Sequence, residues 1–155
     1  MTTIGASGSA SGLRRRSREM ALQVLFQTEF LRVSGGEETA SRPSGSEVLR
    51  RFLEDFSTDT DVADYGSEIY LGVVERIKEI DAVIQAHSAH WKTSRMGLVD
   101  LLVMRIAVFE MGFAKNLLSP GIVIDEAVEM AKTFGSTESS AFVNGILDHI
   151  ARGKS

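Results

Sequence analysis

The sequence predicts an all-α fold, a single-domain helical bundle of six or seven helices. Apolar residues recur at three-and-four spacing in each long patterned segment, strand-type alternation occurs nowhere at useful length, and there is no internal repeat. With 155 residues, 43% hydrophobic and 25% charged, the chain falls in the globular range and can bury one core without covalent staples. The first dozen residues are Ser, Gly, Thr and Ala with one Ile, so residues 1–12 read as a disordered tail and 13–155 as the domain.

The first helix is expected from Arg14 to Leu31, where Ala21, Leu22, Val24, Leu25 and Phe26 share a face. Ser34-Gly35-Gly36 should end it, and the polar stretch to Ser46, with Pro43 and Gly45, reads as a loop. Val48, Leu49, Phe52, Leu53 and Phe56 support a short second helix. From Val62 through Ile69, Val73, Ile77 and Ile80 to Ile84 the spacing predicts the longest helix, capped by Asp59 or Asp61. The segment 96–114 is apolar around most of its circumference, which predicts a central, mostly buried helix. Ser119-Pro120-Gly121 marks a turn. Val123, Ala127, Met130, Ala131 and Phe134 then form a face closed by Gly135. A last helix, capped by Ser136 or Thr137, carries Phe142, Val143, Ile146, Leu147 and Ile150, and its Gly145 is expected to permit a close helix approach.

Composition excludes several classes. Without cysteine there is no disulfide framework and no thiolate metal site, which suits a reducing, cytoplasmic compartment. Asp100, Arg105 and Glu110 interrupt the longest apolar stretch, so no membrane span is expected, and the N-terminus lacks the apolar run of a secretory signal. The formal net charge of −4 argues against nucleic acid when taken as a sum. Its distribution does not: Arg14, Arg15, Arg16 and Arg18 face only Glu19, whereas Glu37 to Glu68 is rich in Glu and Asp.

Four arginines within five positions supply guanidinium forks for phosphates and planar faces for unpaired bases, although the positive end of a helix dipole disfavours cations unless an anion arrives. Phe26 lies eight residues after Arg18 and can share its face. If exposed, it is a stacking platform; if buried, it is core. Arg105, inside the most apolar helix, must reach solvent or meet a carboxylate. Glu126 is the expected ion-pair partner, with Glu110 and Asp100 as competitors. His87 and His90 have the spacing of two helix-borne ligands but no third ligand nearby, so no metal or other cofactor is expected. Glu126, Glu129 and Lys132 read as a solvated helix edge. No nucleophile or phosphate loop supports catalysis, and the chain is expected not to be an enzyme.

Three segments carry a resemblance. Residues 14–19 read Arg-Arg-Arg-Ser-Arg-Glu, and Leu101 to Met111 contains Arg105 and Glu110. Ile124 to Asp148 runs Ile-Asp-Glu-Ala-Val-Glu-Met-Ala-Lys-Thr-Phe-Gly and later Phe-Val-Asn-Gly-Ile-Leu-Asp. Together, over roughly Leu13 to Ile150, they resemble the NusB family. That resemblance implies a transcription antitermination factor that supports ribosomal RNA synthesis. Such a factor binds boxA RNA together with the ribosomal protein NusE, within the RNA polymerase antitermination complex. It also implies that the arginine segment, Phe26, and the region from Phe134 to Phe142 face RNA, while Asp100 faces the protein partner. Two positions depart from the pattern: Asp125 where the family often has Asn, and Phe26 where it has Tyr, so no phenol can bond RNA there. The competing reading is a homodimeric interaction module whose arginine segment lies in a protein interface. Similar helical domains also occur fused to RNA methyltransferases, but this sequence holds no strand-rich, cofactor-binding half.

Overall fold

The computed structural model describes residues 10–34, 43–56, 58–89 and 91–153. Among them the chain forms seven α-helices and no strand: α1 Ala10–Ser34, α2 Gly45–Asp55, α3 Thr60–Glu75, α4 Ile77–Ala86, α5 Leu98–Gly112, α6 Pro120–Phe134 and α7 Ser139–Gly153, with one 3-10 turn at Thr93–Arg95. The all-helical expectation holds. Contacts divide the chain into two compact units, one ending at Leu71 and the other beginning at Gly72.

In the first unit α1 packs on α2. Ala21, Leu22, Val24 and Leu25 are buried on α1, and Val48, Leu49 and Phe52 on α2. Ser44 caps α2, its hydroxyl accepting from the Glu47 N–H at 3.2 Å. On the water side Arg50 and Arg51 pair with Glu47 and Glu54, so part of the acidic middle is neutralised within one helix. α3 starts with Asp59 accepting from the Asp61 N–H at 2.9 Å, which makes Asp59 the cap. Gly66 marks a close approach: a Cβ there would stand 2.7 Å from Met20 Sδ and 3.1 Å from the Ser17 carbonyl oxygen. Tyr70, fully buried, shares a 2.6 Å hydrogen bond with Thr28. Burial pushes its phenol pKa up from the ordinary value, and the Thr28 bond only partly opposes that.

In the second unit α5 is the centre. It contacts α4, α6 and α7, and every residue from Leu101 to Met111 is buried, as expected of a helix apolar on all sides. α6 and α7 pack on each other and on α5, burying Val123, Ala127, Met130 and Ala131 on one helix and Val143, Ile146, Leu147 and Ile150 on the other. Gly72, in the last turns of α3, receives the Phe109 ring.

Several expected boundaries move. α1 begins at Ala10, inside the segment expected to be a tail, so the arginines occupy its second turn rather than its start. Residues 1–9 lie outside the described residues. The helix expected from Val62 to Ile84 is two helices broken at Arg76, whose backbone sits at φ −114° and ψ 23°. The apolar spacing runs through the break because both helices bury their faces, with Val73 before it and Ile80 and Ile84 after it. Pro120 does not sit in a turn but opens α6, where a missing N–H leaves no bond unmade, and Ser119 is the cap position. Gly135 ends α6 in extended backbone. Gly145 is exposed on α7, and a Cβ there would meet nothing within 4 Å, so the expected close approach is absent. The loop read from Ser34 to Ser46 falls mostly on residues 35–42, outside the described residues; Gly45 and Ser46 already belong to α2.

Candidate nucleic-acid interface

α1 presents a graded face. Arg14, Arg15 and Arg16 are exposed. Arg18 is not: at 2% exposure it lies with the core. The reason is helical period, since Arg18, Leu22 and Leu25 are spaced by four and three residues, and that row is the buried one. Phe26 is 43% exposed, so the core alternative for it falls. Its face-mate among the arginines is therefore Arg15 rather than Arg18. Eleven residues make three helical turns, which puts Arg15 and Phe26 on one side, about 16 Å apart along the axis. Because the arginines sit beyond the first turn, the dipole penalty on cations, confined to the helix end, is weaker than expected. Phe30 and Val33 continue the exposed row at 65% and 70% exposure, and an open cleft of about 260 Å³ lies among Phe26, Gln27, Phe30 and Leu31.

In the second unit Phe134, the last residue of α6, is 43% exposed. Phe142 is half-buried, and its ring stands edge-on to Trp91 with centroids 6.3 Å apart. Of the two phenylalanines carried from the resemblance, Phe134 thus offers an open ring, while Phe142 supports a neighbour. Trp91 was missed by sequence reasoning; it lies in a stretch without apolar period, and the signal available was simply that it is the only tryptophan. Asp100 sits in the first turn of α5, half-buried, where a carboxylate complements the helix dipole.

Arg105 is 7% exposed, and its Nε and Nη2 donate to Asp81 Oδ1 and Oδ2, each at 2.8 Å. This bidentate pair ties α4 to α5. Positions 81 and 105 are 24 residues apart, so no local pattern in the sequence points to Asp81 as the partner. The expected Glu126 partnership stays a proposal. His87 meets His149 edge-on at 5.1 Å and bonds the Val83 carbonyl through Nδ1, while His90 lies outside the described residues. Among the described residues no group of three or more His, Cys, Asp or Glu side chains could hold a metal ion, and no helix is long and apolar enough to cross a membrane.

The fold and this surface define a class: an all-helical protein with guanidinium and aromatic groups aligned on one exposed helix face, suited to a polyanion with stackable rings. Comparison narrows it. The NusB family model matches residues 15–152. The transcription antitermination protein NusB of Bdellovibrio bacteriovorus is 45% identical over 141 residues, covering 90% of this chain and 95% of that protein. A solved T. maritima NusB superposes with a TM-score of 0.76 at 33% identity, covering 90% of each chain. A structure of antitermination factors NusB and NusE in complex with dsRNA has a TM-score of 0.74 at 24% identity, covering 91% of this chain and 97% of that one, a likeness of fold. The chain belongs to the NusB family.

Proposed function

We propose that this protein is a transcription antitermination factor. It binds boxA-containing RNA of ribosomal RNA transcripts together with NusE, acts within the RNA polymerase antitermination complex in the cytoplasm, and catalyses no reaction. The observation that carries the reading is the exposed stretch of α1, where Arg15 shares a side with the open ring of Phe26 and the exposed Arg14 and Arg16 flank it. Guanidinium groups hold phosphates by charge and forked hydrogen bonds, and an exposed ring stacks on whichever base is unpaired. Family membership supplies the context, and a NusB of similar fold has been solved with NusE and RNA. Asp100 is assigned to the basic ribosomal partner, since a carboxylate repels phosphate. Phe134 and Phe142 are assigned to RNA, Phe134 as the more open ring.

A titration of the full chain with a ribosomal leader RNA, with and without NusE, tests this. Binding that NusE strengthens supports the reading; no binding in either case removes it. The homodimer reading draws on the exposed Phe30 and Val33. Gel filtration with and without RNA separates the two, because a dimer that buries the arginines is indifferent to RNA.

A further inference from the structure

We propose that Trp91 is a stacking residue for an unpaired RNA base, held ready by a clamped loop beside Phe142. The inference rests on the RNA-binding reading above and extends it to a residue outside the α1 face. Trp91 is the only tryptophan of the sequence, and it is 55% exposed in the segment between α4 and α5.

A bulky ring on a loop would ordinarily have to be ordered when a ligand arrives, at a cost in affinity. Here the backbone is already fixed. The Trp91 N–H donates to the Ser88 carbonyl at 2.7 Å. The Trp91 carbonyl accepts from Gln85 Nε2 at 2.9 Å and from Ser88 Oγ at 3.1 Å. The same Gln85 amide accepts from the Thr93 N–H at 3.0 Å, so one side chain from the end of α4 holds both Trp91 and the residue two places after it. The indole meets Phe142 edge-on, at an interplanar angle of 88°.

The surroundings select the ligand. An open cleft of about 540 Å³ is bounded by Gln85, Ala89, Trp91, Lys92, Thr93 and Ser94: one cation and no carboxylate. Arg95 follows, also exposed. A protein of net charge −4 thus sets two cations within four residues of its single tryptophan. A π-face beside a positive charge complements a nucleotide, whose base takes the ring and whose phosphate takes the lysine. The Gln85 amide is engaged in holding the loop, and stacking on the indole face does not depend on which base is presented, so the contact should tolerate any base. Phe142, against which the indole stands, is itself assigned to RNA in the reading above.

The test titrates the full chain at low salt with single-stranded boxA-type RNA, following tryptophan emission and the anisotropy of labelled RNA together. We expect emission to be quenched as the RNA saturates. Trp91→Ala should weaken binding by about 5- to 150-fold without changing the salt slope. Trp91→Phe should retain most of the affinity, and Lys92→Ala should lower the salt slope by about 0.7. Circular dichroism checks that the variants fold, and quenching in the unaltered protein does not depend on them. Binding without quenching, with Trp91→Ala as tight as the parent, overturns the inference and leaves the RNA-binding reading standing. Emission that responds to NusE and not to RNA gives the loop to a protein partner, which also overturns it. No RNA binding by the unaltered chain removes both.

Discussion

The same substitution, Gly→Ala in a helix interior, should have opposite signs at two positions. At Gly72 an added Cβ would stand 2.1, 2.3 and 2.9 Å from three carbons of the Phe109 ring. Carbon contacts are comfortable at about 3.5–4.0 Å, so the ring must retreat by more than an ångström. Phe109 is 4% exposed on the buried central helix, and close-packed interiors offer no such room. Overpacking of this kind costs about 1–3 kcal/mol, and the better helix propensity of Ala returns up to about 1 kcal/mol. The net loss should be on the order of 1–2 kcal/mol. At Gly145, where the added carbon meets nothing within 4 Å, only propensity acts, and Ala should stabilise by about 0.5–1 kcal/mol. A protein of this size moves its Tm by roughly 2–4 °C per kcal/mol, so calorimetry should find Gly72→Ala lower by about 2–8 °C and Gly145→Ala higher by about 1–4 °C. Phe109→Leu combined with Gly72→Ala should lose less than the two single losses together, since the smaller side chain vacates the contested space. Gly72→Ala as stabilising as Gly145→Ala, or strict additivity with Phe109→Leu, would refute the packing argument.

Asp81→Ala should cost on the order of 2 kcal/mol by denaturant unfolding. That is less than the 3–5 kcal/mol of a fully buried pair, because Asp81 keeps 29% exposure and water shares its carboxylate. Tyr70, with its phenol pKa raised by burial, contributes stability that is fully present below the unfolded value of 10.0 and lost as pH rises through the folded value. Unfolding midpoints should therefore fall above about pH 10, and Tyr70→Phe should weaken that decline while costing about 1 kcal/mol at neutral pH through the lost Thr28 bond. Asp100→Lys should weaken binding to NusE, measured by calorimetric titration, while leaving RNA binding by the isolated chain intact or improved; equal loss of both would indicate misfolding.

Helix periodicity made most of the fold legible, because an amphipathic or wholly apolar run states its own secondary structure. The same period would have placed Arg18 correctly: reading it with Leu22 and Leu25 puts it on the buried row, while the run of arginines draws attention to charge alone. The break at Arg76 was hidden because the apolar spacing continues on both sides of it. Pairings between helices, such as Arg105 with Asp81, leave no trace in local pattern. Gly72 and Gly145 look alike in sequence and differ only in what the fold brings opposite them. Trp91 was passed over because an aperiodic segment offers no face to assign it to, and its exposure is set by the bonds of Gln85 and Ser88.

The central claim is that the exposed arginines of α1 hold RNA phosphates, and salt dependence tests it most directly. On single-stranded RNA the log affinity falls with log salt by about 0.7 per neutralised phosphate. Replacing Arg14, Arg15 and Arg16 together with Ala should weaken binding and remove up to about two units of slope. Phe26→Ala, removing a ring and no charge, should cost about 1–3 kcal/mol with the slope nearly unchanged. A triple arginine variant that folds by circular dichroism and binds boxA-type RNA with the affinity and salt slope of the parent would contradict the account.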